Sequence, residues 1–448
     1  MTRRHGCALL SAIMALIVAL SAAIYVGVSY VDVPVGDGRT GAKNGGSPGR
    51  ADAVPASTGV WVGAWSASPS GAEPDTGTNG TAGRSIRNVV HAGVSGTSAR
   101  ITLSNLYGTR PLTVTHASIA VAAGADTAAA ATGTMRRLTF GGAASVVVPA
   151  GGQRVSDAVA LPVPRGGDIL VSTYSPASSG PVTFHEEARQ ISYAADGDHT
   201  QDATGTPYKQ RDDHWRYLTA LDVLSNEADG TVVALGDSLT DGVTSTENAD
   251  RRWPDALSDR LRTALGTGTD VPRYSVVNAG ISGNRVLVDG GSGNPAGNTS
   301  GLKRFARDVL ARPNVKVVVI DLGVNDILRN EQRADPEAIL DGLRELVRQA
   351  HARGIKVVGA TLMPFQGHPR YTGVREEVRQ EVNAGIRSGT VYDAVVDFDE
   401  ALRDPYNPRA FRPDYDSGDH LHPSDKGYRA MAGALDLDDL KGSAPARL

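Results

Sequence analysis

The run Thr231-Val232-Val233-Ala234-Leu235 is short, rich in β-branched residues and free of polar alternation. That is the pattern of a strand buried on both faces of a parallel sheet. Further runs of this kind follow at Ser275–Asn278, Val315–Leu322, Ile355–Thr361 and Ala394–Phe398. Between the third and fourth lies a helical pattern. Asp335 suits its cap and Pro336 its first turn. Ile339, Leu340, Leu343, Leu346, Val347 and Ala350 recur at three- and four-residue steps, and Gly354 suits the stop. Strands alternating with helices predict a parallel sheet covered by helices on both faces. This α/β pattern occupies residues 226–442.

Upstream, residues 58–225 carry no long helical pattern. Short β-branched runs bounded by turn residues occur at Ser85 to Val94, Ser98 to Leu106, Leu112 to Thr115, Ser145 to Pro149 and Ile169 to Tyr174. Such spacing predicts an all-β sandwich domain. Residues 33–57 are rich in Gly, Pro, Ser and Ala and read as a flexible linker.

Residues 1–32 bear on location. Thr2-Arg3-Arg4-His5 is basic, and Gly6 to Val31 contains no charged residue. About 20 apolar residues span a bilayer. The arginines are expected to stay cytoplasmic and the rest of the chain to lie outside. Two readings fit: an uncleaved signal anchor in the membrane, or a secretory signal peptide cut near Ser21-Ala22-Ala23. The apolar run continuing through Ile24-Tyr25-Val26 favours the anchor. The net charge of −4 supplies no basic field for nucleic acid. The only cysteine, Cys7, lies in the apolar segment, so the folded part has neither disulfide nor thiolate chemistry. Oligomeric state is not legible.

The loops after the strands carry the chemistry. The first strand runs into Gly236-Asp237-Ser238-Leu239-Thr240-Asp241-Gly242. The second runs into Asn278-Ala279-Gly280-Ile281-Ser282-Gly283-Asn284-Arg285, and the third into Gly323-Val324-Asn325-Asp326. The fourth ends in Thr361-Leu362-Met363-Pro364-Phe365, and after the fifth comes Asp419-His420-Leu421-His422-Pro423. In a flavodoxin-like strand order, 2-1-3-4-5, the first three loops crowd one spot at the carboxyl edge. A serine, a glycine-rich backbone and an asparagine amide meet there. Acyl transfer needs such parts: a nucleophile, and hydrogen-bond donors for a developing oxyanion. Serine also needs a base. Asp419 and His422 sit three residues apart, just before an apolar helix, Tyr428 to Leu437, whose first position suits Pro423. On one tight turn the carboxylate can hold one imidazole nitrogen and leave the other for Ser238.

These blocks, in this order over about 230 to 440, resemble the SGNH, or GDSL, hydrolase family. The resemblance implies a three-layer α/β/α fold, no metal and no cofactor, and hydrolysis of lipid, aryl or acylated-sugar esters. It implies Ser238 as nucleophile, His422 as base and Asp419 as the group that orients His422. The oxyanion would be held by the N–H groups of Ser238 and Gly283 and the side chain of Asn325. Gly280 is the other candidate donor in the second block, and the family pattern favours Gly283. The β-region, opening on Trp61-Val62-Gly63-Ala64-Trp65, looks like the extension of some secreted bacterial arylesterases and acylhydrolases linked to plant polysaccharide breakdown. Expected partners are a small ester or an acylated polysaccharide or lipid, and no nucleic acid.

Each block alone has a plainer reading. Gly-Asp-Ser-Leu forms ordinary turns, Asn325 and Asp326 can cap a helix, and Asp419/His422 can be a capping turn. A metal site built from Asp416, Asp419, His420 and His422 is the rival chemistry, but no second histidine cluster follows the earlier strands. Asp237, Asp241 and Asp326 are expected to hold their turns through backbone N–H groups. Asn284 and Arg285 suit either substrate contact or a helix cap. The alternative function is a non-catalytic carbohydrate- or cell-wall-binding protein, with Trp61, Trp65 and Trp215 as sugar platforms or as core.

Overall fold

All five runs become strands of one parallel sheet. The computed structural model describes residues 59–290 and 297–443. The strands are β1 (Gly230–Gly236), β2 (Tyr274–Gly280), β3 (Val315–Asp321), β4 (Lys356–Ala360) and β5 (Ala394–Val396). They lie in the order 2-1-3-4-5, every pairing parallel. β1 is buried along its whole length, as its unbroken apolar run requires.

Helices α1 (Trp253–Gly266), α2 (Pro336–His351), α3 (Gly373–Arg387) and α4 (Asp425–Ala434) pack in pairs, α1 with α4 and α2 with α3. Leu257 and Leu261 of α1, Leu343 and Leu346 of α2, Val382 of α3 and Met431 of α4 share one apolar core with the sheet. Asp335 caps α2 as expected, accepting from the N–H groups of Glu337 and Ala338. The last helix starts later than Pro423. Ser424 takes the cap, and Pro423 instead bridges to Asp416. The helix stops at Ala434, with a separate 3₁₀ turn at Leu437–Leu440.

Residues 59–225 form antiparallel sheets. One contains Val60–Ser66, Leu218–Ser225, Gly96–Ser104 and Val159–Val163, in that order. The other runs Gln210–Asp212, Ser192–Asp196, Arg84–Ala92, Gly167–Ser175, His116–Val121 and Arg136–Arg137. Val62, Ile101 and Leu221 from the first share a core with Val90, Ile119 and Val171 from the second. Two sheets closing on one core is sandwich packing. Trp65 and Trp215 belong to that core, edge to face at 4.8 Å, and Trp215 Nε1 donates to the Val89 carbonyl. Neither offers a sugar platform.

The β-region sits directly on the parallel sheet, within one compact unit spanning Ser57–Leu448. Val60–Ser66 lies against β2, with Ser66 Oγ donating to the Asn278 carbonyl at 2.7 Å. A Cβ on Gly63 would fall 2.8 Å from Val277 Cγ1, so glycine permits the approach. The apolar segment Gly6 to Val31 and the linker 33–57 lie outside the described residues. Among the described residues no helix is long and apolar enough to cross a membrane.

Candidate active site

Ser238 opens a one-turn helix, Ser238–Asp241, directly after β1. The turn is tight because Gly236 has no side chain. A Cβ there would lie 2.0 Å from Thr240 Oγ1. Asp237 is the cap, accepting from the Leu239 N–H at 3.0 Å, and Gly242 ends the helix at φ 99°. As the first helical residue, Ser238 has an N–H without an intrahelical acceptor.

His422 Nε2 lies 2.9 Å from Ser238 Oγ, and His422 Nδ1 lies 2.6 Å from Asp419 Oδ2. The other Asp419 oxygen accepts from the N–H groups of Leu421 (3.0 Å) and His422 (2.8 Å). Burial pushes the Asp419 carboxyl up. The His422 ring and these N–H groups outweigh it and hold the carboxyl well below the usual carboxylate range. With Nδ1–H donated to a carboxylate, Nε2 is free to accept the Ser238 hydroxyl proton. Asp416 and His420 form a separate pair at 2.6 Å, with the His420 ring exposed. The four residues of the rival metal reading therefore make two acid–imidazole pairs rather than one cluster.

A cavity of about 220 Å³ brings Ser238, Gly283, Asn325 and His422 together. Gly280 is excluded from this role by its own contacts. Its N–H donates to Asn278 Oδ1 at 2.8 Å, and a Cβ on it would sit 2.3 Å from the Asp241 backbone nitrogen. Gly283 lines the cavity at φ 73°. Asn325 Nδ2 donates to Asp237 Oδ2 at 3.0 Å, while Arg329 Nε donates to Asn325 Oδ1 at 3.1 Å. The two bonds fix the amide with its nitrogen toward the Ser238 turn. Asp237 and Asp321 are both fully buried, and Thr240 Oγ1 donates to Asp321. Burial first, and for Asp237 the neighbouring Asp321 carboxylate, push both toward the protonated form.

The helix-turn aspartates hold backbone, as expected, but across loops. Asp241 accepts from the Ser282 N–H, and Asp326 from those of Val286 and Leu287. Asn284 is neither a cap nor a substrate contact. It is fully buried, donating to Asn298 and Thr299 and accepting from Arg304.

Residues 234–430 match the family described as GDSL-like lipase/acylhydrolase. The α/β domain belongs to this family. Over that span it is a GDSL-like lipase/acylhydrolase domain, the class of enzyme that hydrolyses carboxylic esters. Among solved structures, a carbohydrate acetylesterase from Sinorhizobium meliloti is 18% identical, with 46% of this chain and 96% of that one covered at a TM-score of 0.35. The M. smegmatis aryl esterase is 20% identical, covering 46% and 95% at 0.35. A GDSL-like lipase from Bacteroides thetaiotaomicron is 20% identical, covering 46% and 84% at 0.33. No curated protein matches the chain in sequence.

Sequence reading missed two groups around this GDSL site. Arg329 stands four residues after Asn325, one helical turn on, a spacing that signals contact. His185 contacts Asp241 at 2.8 Å from the β-region. No sequence spacing points to a partner 56 residues away.

Gly283→Ala is expected to lower kcat on a short ester by about 10-fold or more. The residue's φ of 73° disfavours a side chain, and the new Cβ would lie 2.3 Å from Arg329 Nη2. Steady-state kinetics of the purified variant would show this. If Asn325 Nδ2 donates to an oxyanion, Asn325→Ala is expected to cost about 10²–10³ in kcat in the same assay.

Proposed function

We propose that this protein is a serine esterase working through an acyl-enzyme on Ser238, on short-chain acyl esters outside the cytoplasm. The observation that carries this reading is the continuous line Asp419–His422–Ser238 ending in a cavity lined by Gly283 and Asn325. Ser238 Oγ attacks the ester carbonyl carbon while His422 Nε2 takes its proton. The carbonyl oxygen becomes an oxyanion, bound by the N–H groups of Ser238 and Gly283 and by Asn325 Nδ2. The tetrahedral intermediate expels the alkoxide, which receives the proton from His422. Water then attacks the acyl-serine with His422 again as base, releasing the acid and restoring the Ser238 hydroxyl.

The cavity of about 220 Å³ beside Ser238 has room for acetyl and other short acyl groups. Its rim is cationic: Arg329 and Arg370 line it, and burial and the neighbouring Arg370 and Arg285 guanidinium groups push Arg329 down. An acetylated polysaccharide carrying carboxylates fits both features. A panel of p-nitrophenyl esters should show acetate and butyrate turned over faster than octanoate. A preference for octanoate would contradict the short-acyl reading. Arg370→Gln should bring the kcat/KM ratio of an acetylated acidic to an acetylated neutral polysaccharide down toward one, and an unchanged ratio would remove the anionic preference. Support for the extracytoplasmic location is the basic-flanked apolar stretch Gly6 to Val31. Protease digestion of intact cells, leaving no full-length chain, is the expected result.

A further inference from the structure

We propose that the β-region sets the orientation of the oxyanion-binding peptide, with His185 as its principal positioning residue. This rests on the reading that the Gly283 N–H binds the oxyanion.

The Gly283 N–H and the Ser282 carbonyl belong to one trans peptide group, so they point in opposite directions. The Ser282 carbonyl accepts from Asn298 Nδ2 at 2.7 Å. The Gly283 N–H is therefore aimed away from Asn298. The preceding peptide is pinned as well, because the Ser282 N–H donates to Asp241 Oδ2 at 2.9 Å.

Both pins are anchored in the β-region. Asp241 Oδ1 lies 2.8 Å from His185 Nε2, and His185 Nδ1 lies 2.8 Å from the Ser68 carbonyl. The Asn298 N–H donates to the Ser70 carbonyl at 2.7 Å. Arg304, fully buried, closes the frame. It donates to the carbonyls of Gly236 and Ala279 and to Asn284 Oδ1, and reaches Ser68 Oγ at 3.2 Å.

His185 has a carbonyl on one ring nitrogen and a carboxylate on the other. A doubly protonated ring donates to both. The ring is buried with Asp241 and lies tilted against Trp215, centroids 5.4 Å apart. Burial opposes protonation of the ring, but Asp241 outweighs it and shifts the ring above its ordinary range, toward an ion pair. A buried ion pair with every acceptor used tolerates little displacement, since separation leaves a bare charge in the interior. The chain Ser68–His185–Asp241–Ser282 is thus a stiff strut from the β-region to the oxyanion peptide. Misplacement of a reacting geometry by about 1 Å costs about 10² in rate.

The test uses full-length variants H185L, H185Q, D241A and D241N, assayed on p-nitrophenyl acetate. KM, kcat, near-ultraviolet circular dichroism and the Ki of phenylboronic acid, a tetrahedral oxyanion mimic, are measured for each. H185L and D241A are expected to lose about 10²-fold in kcat with KM within about 3-fold, and to raise the boronate Ki in parallel. H185Q can still donate to Asp241, and D241N can still accept from the Ser282 N–H. Both should recover at least about 10-fold of the loss. Wild-type kcat and Ki in folded H185L or D241A would overturn the proposal, as would equal impairment of the conservative and disruptive pairs. If H185L does not fold, the D241A and D241N comparison decides. Fluorophosphonate labelling of wild-type Ser238 runs alongside: its failure would reject the serine-esterase reading, whereas labelling with unaffected variants rejects only the strut.

Discussion

Replacing Ser238 by alanine is expected to lower kcat for p-nitrophenyl acetate by about 10⁴-fold or more, with the fold retained. The size follows from the site. Among the described residues, Ser238 Oγ is the only nucleophilic atom that His422 Nε2 faces at hydrogen-bond distance, at 2.9 Å. The turn does not depend on the hydroxyl, because Asp237 caps it and Gly242 closes it. Alanine also suits the first turn of a helix. Thermal unfolding should therefore stay within a few degrees of wild type, about 1 kcal/mol or less of stability. Residual turnover within 10-fold of wild type would mean another group attacks the ester.

Asp419→Asn is expected to cost about 10⁴ in kcat at nearly unchanged KM. An asparagine can keep accepting from the Leu421 and His422 N–H groups, so the turn survives. Its NH₂ would face His422 Nδ1, where the carboxylate now accepts at 2.6 Å. The ring would then place its proton on Nε2, opposite Ser238 Oγ, and lose its capacity as a base. The linkage has a defined sign. Asp419's carboxyl is depressed in the folded chain, so the stabilisation it gives the turn is full above the ordinary carboxylate range. It is lost only as pH falls through the depressed value. Acid inactivation should accordingly follow groups other than Asp419. A D419N enzyme with kcat within 10-fold of wild type would contradict the assigned orientation of His422.

The sheet and the Ser238 constellation were readable because their signals are local. Unbroken β-branched runs marked β1 to β5, and polar loops marked their carboxyl ends. The order 2-1-3-4-5 then brought Ser238, Gly283 and Asn325 together. The start of α4 was misplaced because Pro423 and Ser424 are both start signals, and the capping hydroxyl won over the proline. Gly280 and Gly283 could not be separated by spacing. The family pattern favours Gly283, and the filled hydrogen bond of the Gly280 N–H and its close packing on Asp241 point the same way. His185 and Asn298 were invisible for another reason. Their partners are carbonyls and a carboxylate on distant segments, and backbone acceptors leave no mark on sequence.

The central claim is that Ser238, activated by His422, is the nucleophile. Peptide mapping by mass spectrometry after treatment with a fluorophosphonate tests it most directly. The account predicts one adduct, on the peptide containing Gly236-Asp237-Ser238-Leu239, abolished in S238A and slowed in D419N. An unlabelled Ser238 in an enzyme that still cleaves p-nitrophenyl acetate, or an adduct on another residue that tracks the loss of activity, would contradict it.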